Sequence, residues 1–131
     1  MLRLLLDTQA FIWLVNDDRR LGTKTKEILT NTNNEVVLSY FSIFEMTIKS
    51  SIGKLDYDQS IVNNLSSMGV DLLLPDQNTL IGYKIHSEDN KDPFDNALIT
   101  IALNDKLQLV TSDNKILQTK IKDLSVIDAS C

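Results

Sequence analysis

The polar residues best placed to do chemistry in this chain are acids set against apolar segments: Asp7 in LLLDTQAFIW, Glu45 in SIFEM, Asp95 in DPFDNALI and Asp113 closing LVTSD. Gathered into one partly buried pocket, such carboxylates repel: two unit charges ~4 Å apart do so by roughly 4 kcal/mol at an effective dielectric near 20. Protons or a cation must relieve them. An all-oxygen site suits hard ions, and Mg²⁺ in particular takes one or two carboxylates while keeping waters for a substrate phosphate. The chemistry to expect is metal-assisted hydrolysis of a phosphodiester, with the ion acidifying a water, neutralising the scissile phosphate and stabilising charge on the leaving oxygen. Soft-metal chemistry has no comparable footing. The single histidine, His86, has no second His or nearby Cys to share a site and reads as a core or surface residue.

Each acid also has a local reading. Asp7 follows an apolar run and can cap the next helix. Glu45 lies three residues after Ser42, the spacing of a capping box, and four before Lys49, the spacing of a helical ion pair. Asp113 can be a turn residue ahead of Asn114-Lys115. Asp95 carries more information, because Asn96, Thr100 and Asn104 recur every four residues as one narrow wet stripe, whereas Asp95 aligns with Ile99 and Ala102 on an apolar face. Its local alternative is an acid favoured by the helix dipole. Asp92 reads as a cap rather than a ligand. Trp13, Tyr40, Tyr57 and Tyr83 read as packing residues rather than base-stacking platforms.

The elements that must position these acids alternate along the chain. Leu2 to Leu6 reads as a buried strand, Ala10 to Val15 as a helix apolar on all sides, Thr23 to Thr30 as a second helix and Glu35 to Ser39 as a β-branched strand. A helix follows over Ser42 to Ser51, ending before Gly53, and another over Asp58 to Met68. Val70 to Leu74 is a strand that Pro75 ends, and residues 78 to 86 form a short helix. Asp92 at the N-cap and Pro93 at the first helical position announce the strongest helix, reaching about Leu103. Leu107 to Val110 is a strand, a short helix lies near Ile116, and a last strand lies around Ser125 to Ile127. This order predicts a three-layer α/β domain with a mainly parallel central sheet flanked by helices. In such sheets ligands bind beyond the C-terminal strand ends, where strand order reverses. If the strands before Asp7 and Asp113 are neighbours there, the two carboxylates share one rim.

At 131 residues the chain has the size of one domain, 1–131, able to bury a core without disulfide staples. Its one cysteine, Cys131, excludes an internal disulfide and fits a reducing cytosol. The N-terminal apolar stretch, broken by Arg3 and Asp7, fits neither a signal peptide nor a spanning helix, so a cytoplasmic protein with no membrane partner is expected. A net charge of −5 argues against broad electrostatic binding of nucleic acid, unless acids concentrated in a cation-binding pocket make the total misreport the surface a substrate meets.

Four stretches in order resemble PIN-domain ribonucleases, specifically the VapC-type toxins of bacterial toxin-antitoxin pairs: LLDTQAFIW, the Ser39 to Lys49 segment with GKL at Gly53 to Leu55, DPFDNALI and LVTSD. The resemblance runs from residue 2 to about residue 128. It implies a PIN-like (Rossmann-like) fold and an acidic quartet of Asp7, Glu45, Asp95 and Asp113 holding Mg²⁺ or Mn²⁺. Thr111 and, less directly, Thr8 and Ser39 would support that quartet. It further implies an endoribonuclease that cleaves RNA with a metal-activated water and leaves a 5′-phosphate, a homodimer, and a cognate antitoxin that directs a basic group toward the acids. Gln9 stands where many relatives have His, Phe44 where many have Trp, and Asn96 where Arg is common, so RNA preference does not transfer.

Two rivals differ in kind. A phosphoryl-accepting receiver domain, or a phosphatase with a D-x-D motif, would need an acid next to or two past Asp7, where Thr8 and Gln9 stand. A catalytically inactive PIN-like interaction module would keep the fold without the activity. The apolar helix from Phe11 to Val15 leaves open whether it is wholly internal or partly covered by another chain.

Overall fold

The computed structural model describes residues 1–131. In chain order it contains β1 (Arg3–Leu6), α1 (Thr8–Val15), α2 (Thr23–Thr30), β2 (Glu35–Ser39), α3 (Tyr40–Ser51), α4 (Ser60–Asn63), a 3₁₀ turn (Ser66–Met68), β3 (Val70–Leu73), α5 (Gln77–Ile81), α6 (Pro93–Asp105), β4 (Gln108–Thr111), α7 (Asn114–Gln118) and β5 (Val126–Asp128). The five strands form one sheet in the order β3-β2-β1-β4-β5, every pair parallel. The chain runs from the centre to one edge, then returns to build the other half, so the order reverses between β1 and β4. That is the doubly wound, Rossmann-like order, and it differs from the 2-1-3-4-5 order of receiver domains.

The central strand explains itself from its sequence. Leu4, Leu5 and Leu6 have no exposed surface, as a parallel strand covered on both faces requires. Alternation divides them between two cores. Leu4 and Leu6 join Val36, Leu38, Val70 and Val110 beneath Phe11, Trp13 and Met46, while Leu5 joins Val37 and Leu109 beneath Leu98, Ile101 and Ile116 of α6 and α7. Helix α1 belongs to the first core. Ala10, Phe11 and Trp13 are buried, and Ile12, Leu14 and Val15 pack half-buried against the same cluster. Its apolar circumference is therefore largely satisfied within the chain. Exposed apolar side chains lie on α3 and its C-cap and on α5, at Phe44, Ile48, Ile52, Leu80 and Ile81. No helix is long and apolar enough to cross a membrane.

Several expected elements shift. Helix α3 begins at Tyr40, not Ser42: Ser39 ends β2 and itself caps the helix, its Oγ accepting from Phe41 N at 3.1 Å. Strand passes into helix without a linker, leaving Ser42 buried inside the first turns with no partner for its hydroxyl. The helix expected over Asp58 to Met68 is cut to one turn, α4, and a 3₁₀ turn. Asp58 spends its carboxylate on Ser60 N, and the intervening β-branched residues, asparagines and serines are weak helix formers. The helix expected over 78–86 stops at Ile81, before Gly82.

The stripe of Asn96, Thr100 and Asn104 is wet only at its far end. Asn96 and Thr100 are buried, because the segment 82–91 folds over them, whereas Asn104 is exposed. Asn96 Nδ2 donates to the carbonyls of Asn90 and Asp92 at 3.0 and 2.9 Å, and its Oδ1 accepts from His86 N at 2.9 Å. Thr100 Oγ1 lies 2.8 Å from His86 Nε2. One amide thus fastens the loop that precedes α6. Asn96→Ala deprives a backbone N–H and two carbonyls of this partner and is expected to cost on the order of 2–3 kcal/mol in urea unfolding. Asn104→Ala, on the exposed end of the stripe, is expected to change stability by less than about 0.5 kcal/mol. Equal costs would contradict the assigned role of the buried amide.

Candidate active site

Because β1 and β4 are adjacent, with Leu6 paired to Val110, the residues that follow them emerge side by side at the C-terminal edge of the sheet. Asp7 and Asp113 are those residues. A pocket of about 450 Å³ opens there, and all four expected acids line it, joined by Asp92, Lys49 and Thr8. Glu45 arrives from α3 and Asp95 from the first turn of α6. The two helices are tied beside the pocket by Phe44 and Phe94, whose rings meet edge to face at 6.0 Å.

Local reading and site reading hold together here. Asp7 caps α1, its Oδ1 accepting from Ala10 N at 2.7 Å, and Asp113 caps α7, its Oδ1 accepting from Ile116 N at 3.1 Å. Each thus caps a helix and lines the pocket at once. Asp92 caps α6, its Oδ1 accepting from Phe94 N and Asp95 N at 2.8 and 2.9 Å. Asp95 accepts at Oδ2 from Asn90 Nδ2 at 3.0 Å, and Asn90 is itself buried and held by Asn96 through its carbonyl. Glu45 accepts at Oε1 from Thr8 Oγ1 at 2.6 Å and pairs at Oε2 with Lys49 Nζ at 2.8 Å. The capping box with Ser42 is absent, but the i,i+4 ion pair is present.

The electrostatics register the convergence. Burial pushes the Asp7 carboxyl up to about 6, against hydrogen bonds from Thr111 and Ala10 N, and the charges of Glu45 and Asp113 push it further the same way. Burial likewise raises Asp95 to about 6, opposed by the bond from Asn90 and assisted by Asp92, Asp113 and Glu45. Asp113 and Glu45 therefore act on both Asp7 and Asp95. No three of these carboxylates stand close enough to grip one ion directly as they are placed. Carboxylates that repel one another without a cation between them are expected to stand apart, and a donor set of hard oxygens fits a hydrated Mg²⁺ or Mn²⁺, which needs only one or two direct carboxylate ligands. Asp7, Asp95, Asp113 and Glu45 are the residues that could hold such an ion.

The supporting hydroxyls divide. Thr8 orients Glu45, and Thr111 serves Asp7 while its Oγ1 accepts from Asp113 N at 3.0 Å. Ser39 spends its hydroxyl on the α3 cap and does not line the pocket. Sequence reasoning missed Asn90, for which an asparagine in a loop gives no signal. It treated Lys49 only as a partner for Glu45, although its i,i+4 spacing already placed it on the same helix face.

Fold and pocket together define a doubly wound α/β domain with an acidic site at its switch point. The PIN domain family model matches residues 4–122, and the chain belongs to that family. No curated protein matches the chain. Among solved structures it is similar to VapBC2 from Rickettsia felis bound to a DNA fragment from their promoter, at 15% identity over 96% of this chain and 98% of that chain, with a TM-score of 0.65. VapBC-1 from nontypeable Haemophilus influenzae matches at 22% identity over 99% and 100%, with a TM-score of 0.64. A toxin-antitoxin complex from Klebsiella pneumoniae matches at 16% identity over 95% and 96%, with a TM-score of 0.63. At these identities the likeness speaks to the fold.

The raised carboxyls make stability depend on pH in a definite direction. A carboxyl whose value is near 6 when folded and 3.8 when unfolded holds more protons in the folded chain between those limits, so its contribution is intact below about pH 4 and lost as pH rises through 6. For the buried Asp7 the loss is on the order of 2–3 kcal/mol at neutral pH. In chelator, Asp7→Asn is therefore expected to match wild type at pH 4 and to exceed it in urea unfolding at pH 7.5. An Asp7→Asn difference that does not change with pH would contradict this.

Proposed function

We infer that the protein is a VapC-type toxin: an endoribonuclease that uses Mg²⁺ or Mn²⁺ held by Asp7, Glu45, Asp95 and Asp113 to hydrolyse RNA phosphodiester bonds. The observation that carries this reading is the convergence of those four acids, with Asp92, on one pocket at the switch point of a PIN domain. The chemistry supplied by an ion in that position is the acidification of water and the neutralisation of a phosphate. The chain's own residues hold and aim the ligands. Thr111 and Ala10 N fix Asp7, Thr8 fixes Glu45, Asn90 fixes Asp95, and Ile116 N fixes Asp113. Four carboxylates anchored from four separate elements are gathered around one pocket before a substrate arrives, which is the preorganisation that catalysis of this kind requires. Hydrolysis places the water oxygen on phosphorus and expels the 3′ oxygen, leaving a 5′-phosphate.

A cognate antitoxin belongs to the same reading. Its support is the likeness to VapBC proteins and to a toxin-antitoxin complex, together with a pocket whose excess of negative charge suits a basic group from a partner. Homodimerisation is supported by the exposed apolar side chains of α3 and α5, which a second copy would cover.

Purified protein incubated with a structured RNA is expected to cut it in Mn²⁺ or Mg²⁺ and to be silent in chelator. Asp7→Asn and Asp95→Asn are each expected to lower the rate by at least about a hundredfold, the scale on which removing a charge-stabilising group acts. Gel analysis of cleavage products checks both. Folded wild type that fails to cut any RNA in either metal would leave an inactive interaction module, and full activity in Asp7→Asn would remove Asp7 from the site.

A further inference from the structure

Among the residues lining the acidic pocket, five are carboxylates and one, Lys49, is basic. Its Nζ stands 2.8 Å from Glu45 Oε2, and the two partners differ in depth: the Lys49 side chain is 48% exposed and that of Glu45 14%. The ammonium thus occupies the outer side of the pair, toward solvent, and the carboxylate the inner side. Glu45 does not depend on Lys49 for its place, because Thr8 Oγ1 holds its other oxygen at 2.6 Å. A half-exposed lysine on a flexible four-carbon stem is weakly held by one such contact and is easily redirected.

An RNA strand approaching this pocket meets five carboxylates, and a single divalent ion leaves that excess of negative charge only partly cancelled. A phosphate seated there needs a cation from the chain itself. We propose that Lys49 is a phosphate-binding residue of the RNA site, kept on Glu45 in the metal-free protein and freed for a backbone phosphate when Glu45 turns its charge to a divalent cation. The inference rests on the nuclease reading above and deepens it. The ammonium cannot serve Glu45 and a phosphate fully at once, so metal and RNA assist each other's binding. Each removes a competitor of the other, and the coupling is reciprocal. In the metal-free protein the same ion pair keeps the one available cation away from nucleic acid.

The test uses the full chain, a fluorescein-labelled single-stranded RNA of mixed sequence and Ca²⁺ in place of the catalytic metal, with binding read by fluorescence anisotropy across a salt series. Lys49→Met is expected to weaken RNA binding about tenfold and to flatten the slope of log Kd against log salt by about 0.7, the contribution of one single-strand phosphate contact. Lys49→Arg is expected to keep the slope. Lys54→Met, which removes an equal charge outside the pocket lining, is expected to leave it unchanged. Titration calorimetry with Mn²⁺ alone is expected to show Lys49→Met binding the ion at least as tightly as wild type, since Glu45 has lost its competitor. Wild-type RNA affinity and slope in Lys49→Met, or weaker Mn²⁺ binding by that variant, would overturn the proposal while leaving the nuclease reading standing. Wild type that binds no RNA in the presence of the ion would overturn both.

Discussion

Repulsion among carboxylates that the fold forces together is the constraint on which the rest of this structure turns. Burying Leu4, Leu5 and Leu6 on both faces fixes β1 at the centre of the sheet, and the pairing of Leu6 with Val110 sets Asp7 beside the chain leaving β4. The same hydrophobic ordering that stabilises the sheet therefore delivers like charges to one rim. The chain offsets part of this cost locally: backbone N–H groups at the starts of three helices, two threonines and Asn90 donate to these carboxylates, and Lys49 supplies the only cation in the pocket. Burial, with a smaller push from the neighbouring carboxylates, raises Asp7 and Asp95 to about 6. A donor set of hard oxygens suits a hard cation, which is why the proposed phosphodiester chemistry is placed here.

Much of this was legible in the residues. Continuous apolar runs identified the buried strands, and Asp92-Pro93 marked the start of α6 to the residue. The alignment of Asp95 with Ile99 and Ala102 set it apart from an ordinary surface acid, and it stands half-buried in the pocket lining. The same periodicity misjudged Asn96 and Thr100. Polar residues spaced along one face read as solvent-exposed, and nothing local reveals that the loop carrying His86 and Asn90 will fold back to hydrogen-bond them. Ser42 failed for a related reason: capping signals are ambiguous when Ser39 and Ser42 lie one turn apart, and the register of β2 decided between them. The pocket itself was legible only as a consequence of topology, since no acid taken singly, Asp95 included, was decisive.

Proposed and structural roles coincide at these acids. Asp7, Asp92 and Asp113 each cap the start of a helix and line the pocket, so the caps that stabilise α1, α6 and α7 also fix the charges with respect to the sheet. On the proposed reading, the net charge of −5 is compatible with a polyanionic substrate, because it includes residues that a bound ion would neutralise and Lys49 gives the pocket a cation of its own.

The most direct test of the central claim is a crystal structure grown with Mn²⁺ and measured at the manganese absorption edge. The account predicts an anomalous peak in the switch-point pocket, with at least one of Asp7, Asp95 and Asp113 in direct contact at about 2.0–2.3 Å and the others bound through its waters. Saturating Mn²⁺ with no peak in that pocket, or with the ion held only elsewhere on the surface, would contradict it.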